Sequence, residues 1–314
     1  MQHRVITLAI LASAFALAAA AQEPAPGAPP AQAPAMAVES VIVTAPKDRP
    51  ERQLDDFIIA HAAPSPYLRK IARWKTGICP LTIGLPPKLN TYVNQRIIRV
   101  AMMVGAPLDS HEPCRPNVIV AATPQPQEVL DLIREKRPVL LGYHYISRQK
   151  ELATMTRAVQ AWYSTATEDF YGFVQSDGGG YNMNVLDFWR DQGGGLWNPV
   201  HVSGARTGDG LKSQFTTAVI LVDSQRIAGQ PIGPLGDYIA MLALSQGKYY
   251  DECQPVPTIT NLLAPYCADN RKPAALTDID VTYLRGLYKM SPGGTFGGER
   301  ASIAYVMKKE LGGY

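Results

Sequence analysis

The sequence has few of the side chains that bind metal ions. Its 314 residues include only five histidines and four cysteines. No two histidines stand four residues apart, and no two cysteines have Cys-x-x-Cys spacing, so the usual helical and structural zinc motifs are excluded. We therefore predict no metal ion and no other cofactor. One arrangement stays open as an alternative, a composite metal site made of His111, Glu112, His144 and His201.

Charge is also scarce and evenly mixed. Charged residues make up 18% of the chain, and the formal net charge is +3. Basic and acidic residues are interspersed, without the basic stripe that a phosphate backbone requires. Nucleic acid is therefore not expected as a partner.

Long apolar runs are absent except at the start of the chain. Residues 5–21, VITLAILASAFALAAAA, follow Arg4 and end in small residues. This pattern predicts a secretory signal peptide over residues 1–21, cleaved near Ala20 or Ala21. A retained membrane anchor is the alternative, although the run is short for a spanning helix. We expect a secreted or periplasmic protein without a transmembrane segment in the mature chain.

A proline- and alanine-rich stretch follows the leader. Six prolines and seven alanines lie within residues 22–47, a composition that predicts a disordered linker. The stretch ends in VESVIVTAPK, which resembles the TonB box of outer-membrane receptors. The chain is too short for such a receptor's barrel, so receptor function is not inferred. The string remains a candidate strand that pairs with the sheet edge of an envelope protein.

The four cysteines fit an exported protein. Cys79, Cys114, Cys253 and Cys267 all follow the leader, and an even number in an oxidising compartment predicts two disulfides. Three connectivities are possible. We favour Cys79–Cys114 and Cys253–Cys267, because each pair flanks a compact segment.

Residues 48–314 have the composition of a single globular domain. Patterns predict helices over PYLRKIARW, PKLNTYVNQRIIRVAMMVG, PQEVLDLIREKRP and QKELATMTRAVQAWYSTA, and strands over NVIVAAT and QFTTAVILVD. PLGDYIAMLALSQG reads as a buried helix between Pro234 and Gly247. Two more helices are predicted, over LTDIDVTYLRGLYKM with a Thr277 cap and over ERASIAYVMKKELGG. Mixed helices and strands in this order predict the α+β class.

The second half of the chain resembles the zincin metalloproteases of the matrixin type. In that family a strand precedes a buried helix that bears His-Glu-x-x-His, and a segment of the form Leu-Thr-x-x-Asp-x-x-x-Leu-x-x-Leu-Tyr follows. The likeness covers residues 216–288, about a quarter of the chain. It implies a zincin-like mixed sheet with a buried central helix and C-terminal helices. The residues that match the second segment are Leu276, Thr277, Asp280, Leu284, Leu287 and Tyr288.

The zinc-binding motif itself is missing. Asp237, Tyr238 and Met241 occupy the three motif positions of the helix. Tyrosine is a poor general base at neutral pH and methionine a poor zinc ligand, so the resemblance implies a degenerate site without catalytic residues. The wider chain also resembles secreted proteins of Gram-negative bacteria that share ICP, GLPP and CRPN segments.

The remaining candidate site is a glycine-rich region over residues 176–210. Aromatic and polar side chains on such loops suit peptide or glycan ligands. The candidate binding residues are Tyr181, Trp189, Trp197, His201 and Arg206. A weaker serine-hydrolase pattern, ALSQG, would use Ser245 with His201 as its base.

These patterns together favour a secreted, non-catalytic, zincin-like protein that binds an envelope component. The alternative is a periplasmic hydrolase that acts on peptide or cell-wall material through an atypical site. The two differ in what surrounds the loops over residues 176–210. A pocket lined by His201, Arg206 and Asp209 would favour the enzyme, and a flat aromatic surface would favour binding.

Overall fold

The structure is a computed structural model that describes residues 51–142, 150, 152–177, 200–206, 208–247 and 252–312. The predicted signal peptide, the linker and its TonB-box-like string therefore lie outside the described residues. So do Tyr181, Trp189, Trp197 and His144.

The described chain is built on one five-stranded mixed sheet in the order β1-β2-β5-β3-β4. The strands are β1 (Pro80–Ile83), β2 (Val118–Thr123), β3 (Val159–Glu168), β4 (Val174–Ser176) and β5 (Lys212–Asp223). Strands β1, β2 and β5 are parallel, whereas β3 is antiparallel to β5 and forms a hairpin with β4.

Six α-helices whose bounds lie in the described ranges accompany the sheet, and together they confirm the predicted α+β class. The helices are α1 (Glu51–His61), α2 (Pro87–Val104), α3 (Pro126–Lys136), α4 (Ile232–Leu244), α5 (Asp278–Lys289) and α6 (Phe296–Glu310). Short 3-10 turns lie at Pro138–Leu141, Ile259–Leu263 and Asp269–Arg271. No helix in the described ranges is long and apolar enough to cross a membrane.

The two faces of the sheet bury different cores. Ala218, Ile220 and Val222 of β5 face the main core, to which every helix except α3 contributes. Val219 and Leu221 face a smaller core beneath α3. Burial on both faces explains why β5 reads as a continuous apolar run rather than an alternating one.

Both disulfides connect the cysteines that the sequence favoured. Cys79 is bonded to Cys114 and Cys253 to Cys267, with Cα–Cα distances of 6.0 and 5.1 Å. The first bridge ties the start of β1 to the loop before β2. The second closes the segment between α4 and α5.

Helix α4 is the buried central helix that was predicted, with different ends. It begins at Ile232, two residues before Pro234, and its C-terminal cap is Ser245 in an extended conformation rather than Gly247. Gly236 lies where α4 approaches α2, because a Cβ there would stand 3.2 Å from the ring of Tyr92. Small size at this position therefore permits close helix packing.

One predicted helix is wrong in its second half, and another is wrong throughout. The last eight residues of QKELATMTRAVQAWYSTA, from Val159 onward, belong to strand β3, which pairs with β5 up to Glu168. This long-range pairing outweighs a helical pattern that was read locally. PYLRKIARW forms a turn and isolated bridges instead, with Ile71 bridged to Pro64 and Arg73 to Gln214.

Candidate functional site

Asp237, the first of the three helix positions that the zincin resemblance singles out, has a structural role. Its carboxylate accepts from the Nε of Arg96 and from the Nη2 of Arg96 at 2.8 Å. It also accepts from the backbone N–H of Leu276 at 3.0 Å. Since Arg96 and Asp237 are both buried, this pair joins α2, α4 and the entry to α5 in the interior.

The other two motif positions face the core. Tyr238 and Met241 are 2% and 0% exposed and belong to the main hydrophobic cluster. A catalytic zinc needs three protein ligands and an open fourth position. A carboxylate engaged by a guanidinium, a buried phenol and a buried thioether do not fit that requirement, so we derive no step through a zinc ion.

Ser245 is likewise enclosed. It is 0% exposed, and its hydroxyl donates to the carbonyl oxygen of Met241 at 2.9 Å, one turn earlier in the chain. His201 is exposed on a surface loop. The two groups therefore do not form the nucleophile and base that ALSQG suggested.

His201, a predicted loop residue that the structure describes, is in contact with a buried carboxylate. Its Nδ1 lies 2.7 Å from Oδ2 of Asp169, the residue that follows β3. The side chain of Asp169 is only 4% exposed, whereas that of His201 is 44% exposed. This contact orients the imidazole through Nδ1 while much of the side chain stays exposed.

Asp169 also organises the turn between β3 and β4. Its Oδ1 accepts from the backbone N–H groups of Tyr171 and Phe173, both at 2.9 Å. Desolvation acts to raise the pKa of Asp169, but the hydrogen bonds from His201 and from the backbone amides outweigh it and lower the pKa. The group is therefore ionised at neutral pH and holds both the turn and the imidazole.

Exposed aromatic rings surround this imidazole. The ring of Tyr171 lies edge-on to His201 with centroids 5.0 Å apart, and Phe173 lies at 6.1 Å. Phe170 contacts Tyr171 at 5.5 Å. Phe170, Tyr171 and Phe173 are 54%, 70% and 68% exposed. We call Phe170, Tyr171, Phe173 and His201 the aromatic patch.

Of the other predicted loop residues, only Arg206 lies within the ranges that the structure describes. Arg206 is exposed on the same loop, which is closed by the bond from the N–H of Ser203 to the carbonyl of Asp209 at 2.6 Å. The carboxylate of Asp209 forms an ion pair with the buried Lys70, whose Nζ also donates to Leu211 O at 2.9 Å. Among the described side chains, the carboxylate of Asp209 is therefore engaged by Lys70.

Sequence reasoning missed the hairpin half of this patch. The string DFYGF follows β3, and its Asp and Gly are turn residues. Gly172 has φ 91°, which a hairpin turn requires there. The signal was hidden because the segment before it was predicted to be a helix.

Comparisons with known proteins add no relative. No family model, no curated protein and no solved structure matches the chain. The resemblance to zincins therefore stays a prediction from the sequence.

Proposed function

We propose that this chain is an exported, non-catalytic binding protein of the cell envelope, and that it binds its ligand through the aromatic patch. The observation that carries the proposal is the set of three exposed aromatic rings around an imidazole that a buried carboxylate orients. Large exposed aromatic clusters on soluble domains mark interaction sites. The two disulfides support an oxidising compartment.

The chemistry of the patch suits a glycan. Sugar rings combine apolar C–H faces with hydroxyl groups, and the patch offers both kinds of partner. Phe170 and Phe173 present apolar ring surface, whereas Tyr171 and His201 add a phenol hydroxyl and an imidazole nitrogen. Because both aromatic pairs with His201 are within about 6 Å, a single sugar unit can contact ring and nitrogen together.

A zincin-like ancestry agrees with this proposal. Asp237, at the first of the helix positions that would hold zinc in a protease, serves here to fix α4 against α2 and the entry to α5. The proposal is thus a zincin-like scaffold that retains its central helix for stability and uses a different surface for recognition.

The second candidate is a periplasmic hydrolase, and the Asp169–His201 contact favours it. A carboxylate that holds one imidazole nitrogen is the usual support of a general base. In this proposal His201 would activate a water against glycan or peptide bonds. Turnover of a cell-wall substrate by the wild type, lost in His201→Ala, would decide for this candidate.

The test of the main proposal is direct binding of a defined glycan. Mature protein, residues 22–314, is titrated with a chitin tetrasaccharide by calorimetry, and the products are checked by mass spectrometry. We expect saturable binding without cleavage, weakened about tenfold or more in Tyr171→Ala and in Phe173→Ala, as for aromatic hot spots. Tyr305→Ala removes an exposed aromatic ring on α6 and is the matched control.

Three outcomes would contradict the proposal. Equal affinity of the patch variants and the wild type would remove the patch as the binding surface. Cleavage of the tetrasaccharide would favour the hydrolase. Binding of peptides but not of the tetrasaccharide by the wild type would mean that the ligand is a peptide and not a glycan.

A further inference from the structure

The hairpin of β3 and β4 ends in an exposed apolar tip. We call residues 170–174, FYGFV, the hairpin tip, and none of its side chains carries a charge. The tip adds Val174, which is 56% exposed, to the three exposed rings of the aromatic patch. No other stretch of five residues in the described ranges holds as many exposed large apolar side chains. Such a concentration of exposed apolar surface marks a place where a protein or a membrane is contacted.

The apolar side chains of the tip lie on both sides of the hairpin. Val174 lines an open groove of the sheet together with Ile119, whose two chain neighbours both belong to the main core. Val174 is therefore on the sheet face that is turned away from that core. Phe173 lies toward His201 instead, because successive side chains of an extended chain point in opposite directions. A flat protein surface would cover one side of this tip, whereas a lipid layer surrounds both.

The N–H groups of the turn need no water as a partner. All five N–H groups of residues 169–173 donate to acceptors within the protein. In chain order, the acceptors are Phe173 O, His201 O, Asp169 Oδ1, Asp169 O and again Asp169 Oδ1, at 2.9 to 3.1 Å. A buried N–H group without a partner costs free energy, and in a bilayer the protein itself must supply that partner. This turn meets that condition for its donors.

Charged side chains begin just below the tip. Glu168, the register partner of Val174, forms ion pairs with Lys75 and Lys212. From Glu168 to Tyr171 the chain advances three residues, which is at most about 10 Å. Elements that lie at a membrane surface bury their apolar side by about 5–10 Å. The height of the tip above its first charged residues therefore matches the depth of the interfacial layer.

We propose that the hairpin tip inserts into the interfacial layer of a lipid bilayer and holds the protein at a membrane surface. The inference rests on the proposed function, because it takes the aromatic patch as the binding surface, and it adds a bilayer as the partner of that surface. A glycan that is linked to the membrane would then meet the patch and the lipid together.

The test is sedimentation of the mature protein, residues 22–314, with large vesicles of phosphatidylcholine. This lipid has no net charge, so binding reports the insertion of apolar groups. We expect saturable binding that differs less than about twofold between about 0.1 and about 0.5 M salt, since salt screens only interactions between charges. Val174→Asp should weaken binding about tenfold or more, because a carboxylate would have to leave water.

One variant serves as the matched control. Ile83→Asp places the same charge at an exposed aliphatic side chain on the opposite edge strand of the sheet, and it should bind within about twofold of wild type. Val174 faces away from the aromatic patch, so Val174→Asp should leave the affinity for the chitin tetrasaccharide unchanged. Tyr171→Ala should weaken the binding of both vesicles and tetrasaccharide.

A second measurement does not depend on the folding of Val174→Asp. Phe173→Trp introduces a fluorescent ring at the tip, and Tyr305→Trp introduces one at an exposed position of α6. Phosphatidylcholine that is brominated in its acyl chains quenches indole rings that enter the bilayer. Relative to wild type, we expect additional quenching in Phe173→Trp and none in Tyr305→Trp.

Three results would overturn the bilayer proposal. They are no binding of vesicles by the wild type, equal binding by Val174→Asp and Ile83→Asp, or no additional quenching in Phe173→Trp. The tetrasaccharide separates this failure from that of the proposed function. If the tetrasaccharide binds and the vesicles do not, the glycan stays and the bilayer is rejected. If the vesicles bind and the tetrasaccharide does not, the bilayer stays and the glycan is rejected.

Discussion

The imidazole of His61 and the carboxylate of Asp280 are joined through two buried threonine hydroxyls. His61 Nε2 lies 3.0 Å from Thr260 Oγ1, which lies 3.1 Å from Thr258 Oγ1, and Thr258 donates to Asp280. All four side chains are inaccessible to solvent. These contacts tie α1 to the N-terminus of α5 through the 3-10 turn Ile259–Leu263.

The two ionisable ends of this chain shift in opposite directions. Burial lowers the pKa of His61 to about 4 and raises the pKa of Asp280 to about 6. Both shifts favour the neutral form, since desolvation penalises charge. Between about pH 4 and pH 6.5, His61 is protonated in the unfolded state but not in the folded state. The free energy of unfolding therefore falls as the pH falls through this range. Asp280 has the opposite effect between about pH 4 and pH 6. In this range it is protonated in the folded state but ionised in the unfolded state, so its contribution to the free energy of unfolding rises as the pH falls.

The first prediction isolates the histidine. Relative to His61→Gln, the wild type should lose on the order of 3 kcal/mol of unfolding free energy between pH 7 and pH 4. Urea unfolding of both proteins across this range measures the difference. His111→Gln changes an exposed histidine and should follow the wild type. A pH-independent difference between wild type and His61→Gln would contradict the neutral, buried imidazole.

Much of the fold follows from sequence pattern because it rests on local signals. The Thr277–Asp280 capping box of α5 is present as predicted, and Gly105 ends α2 in a left-handed conformation. Strands β2 and β5 were found from their β-branched apolar runs. These features depend on neighbours within a few residues, which a single sequence displays.

Other features depend on partners far along the chain. Strand β3 was predicted to be a helix because its pairing partner, β5, lies about fifty residues later. The role of Asp237 could also not be predicted from the sequence, since its partner Arg96 is 141 residues away. The aromatic patch combines a hairpin turn with a loop 32 residues later, through Asp169 and His201. Sequence pattern predicted His201 as a loop residue, but not what orients it.

The second prediction concerns the buried ion pair between Arg96 of α2 and Asp237 of α4. Asp237→Ala should cost about 3–5 kcal/mol of unfolding free energy, because it leaves the Arg96 guanidinium buried without its carboxylate. The double variant Arg96→Met/Asp237→Leu should recover much of this loss. Arg285→Ala, which breaks a more exposed pair with Glu310, should cost at most about 1 kcal/mol. Equal costs for the buried and exposed pairs would contradict the structural role of Asp237.

The third prediction separates the two disulfides. Their sequence separations are 35 and 14 residues, so the chain-entropy model gives losses of about 4 and about 3 kcal/mol when each is replaced by serines. Thermal and urea unfolding measure these losses. A loss in the Cys79→Ser/Cys114→Ser variant that is smaller than the loss in the Cys253→Ser/Cys267→Ser variant would contradict the chain-entropy model for this protein.

The fourth prediction tests how Asp169 acts on the aromatic patch. In the wild type the ionised carboxylate accepts from Nδ1 of His201, so the neutral imidazole should carry its proton on Nδ1. Asp169→Asn keeps one oxygen for the N–H groups of Tyr171 and Phe173. Its amide then faces the imidazole as a donor, which favours the other tautomer. Nitrogen-15 chemical shifts of His201 at neutral pH distinguish the two forms.

This tautomer change should also appear in binding. If His201 meets the glycan through Nε2, the ligand faces an acceptor in the wild type and a donor in Asp169→Asn, so affinity should change while the fold does not. Asp169→Ala removes the acceptor for the turn as well, and should speed amide hydrogen exchange at Tyr171 and Phe173 in addition to weakening the glycan. The same tautomer in wild type and Asp169→Asn would mean that Asp169 holds only the turn. The patch would then bind through its rings alone, and His201→Ala should leave the affinity for the tetrasaccharide unchanged.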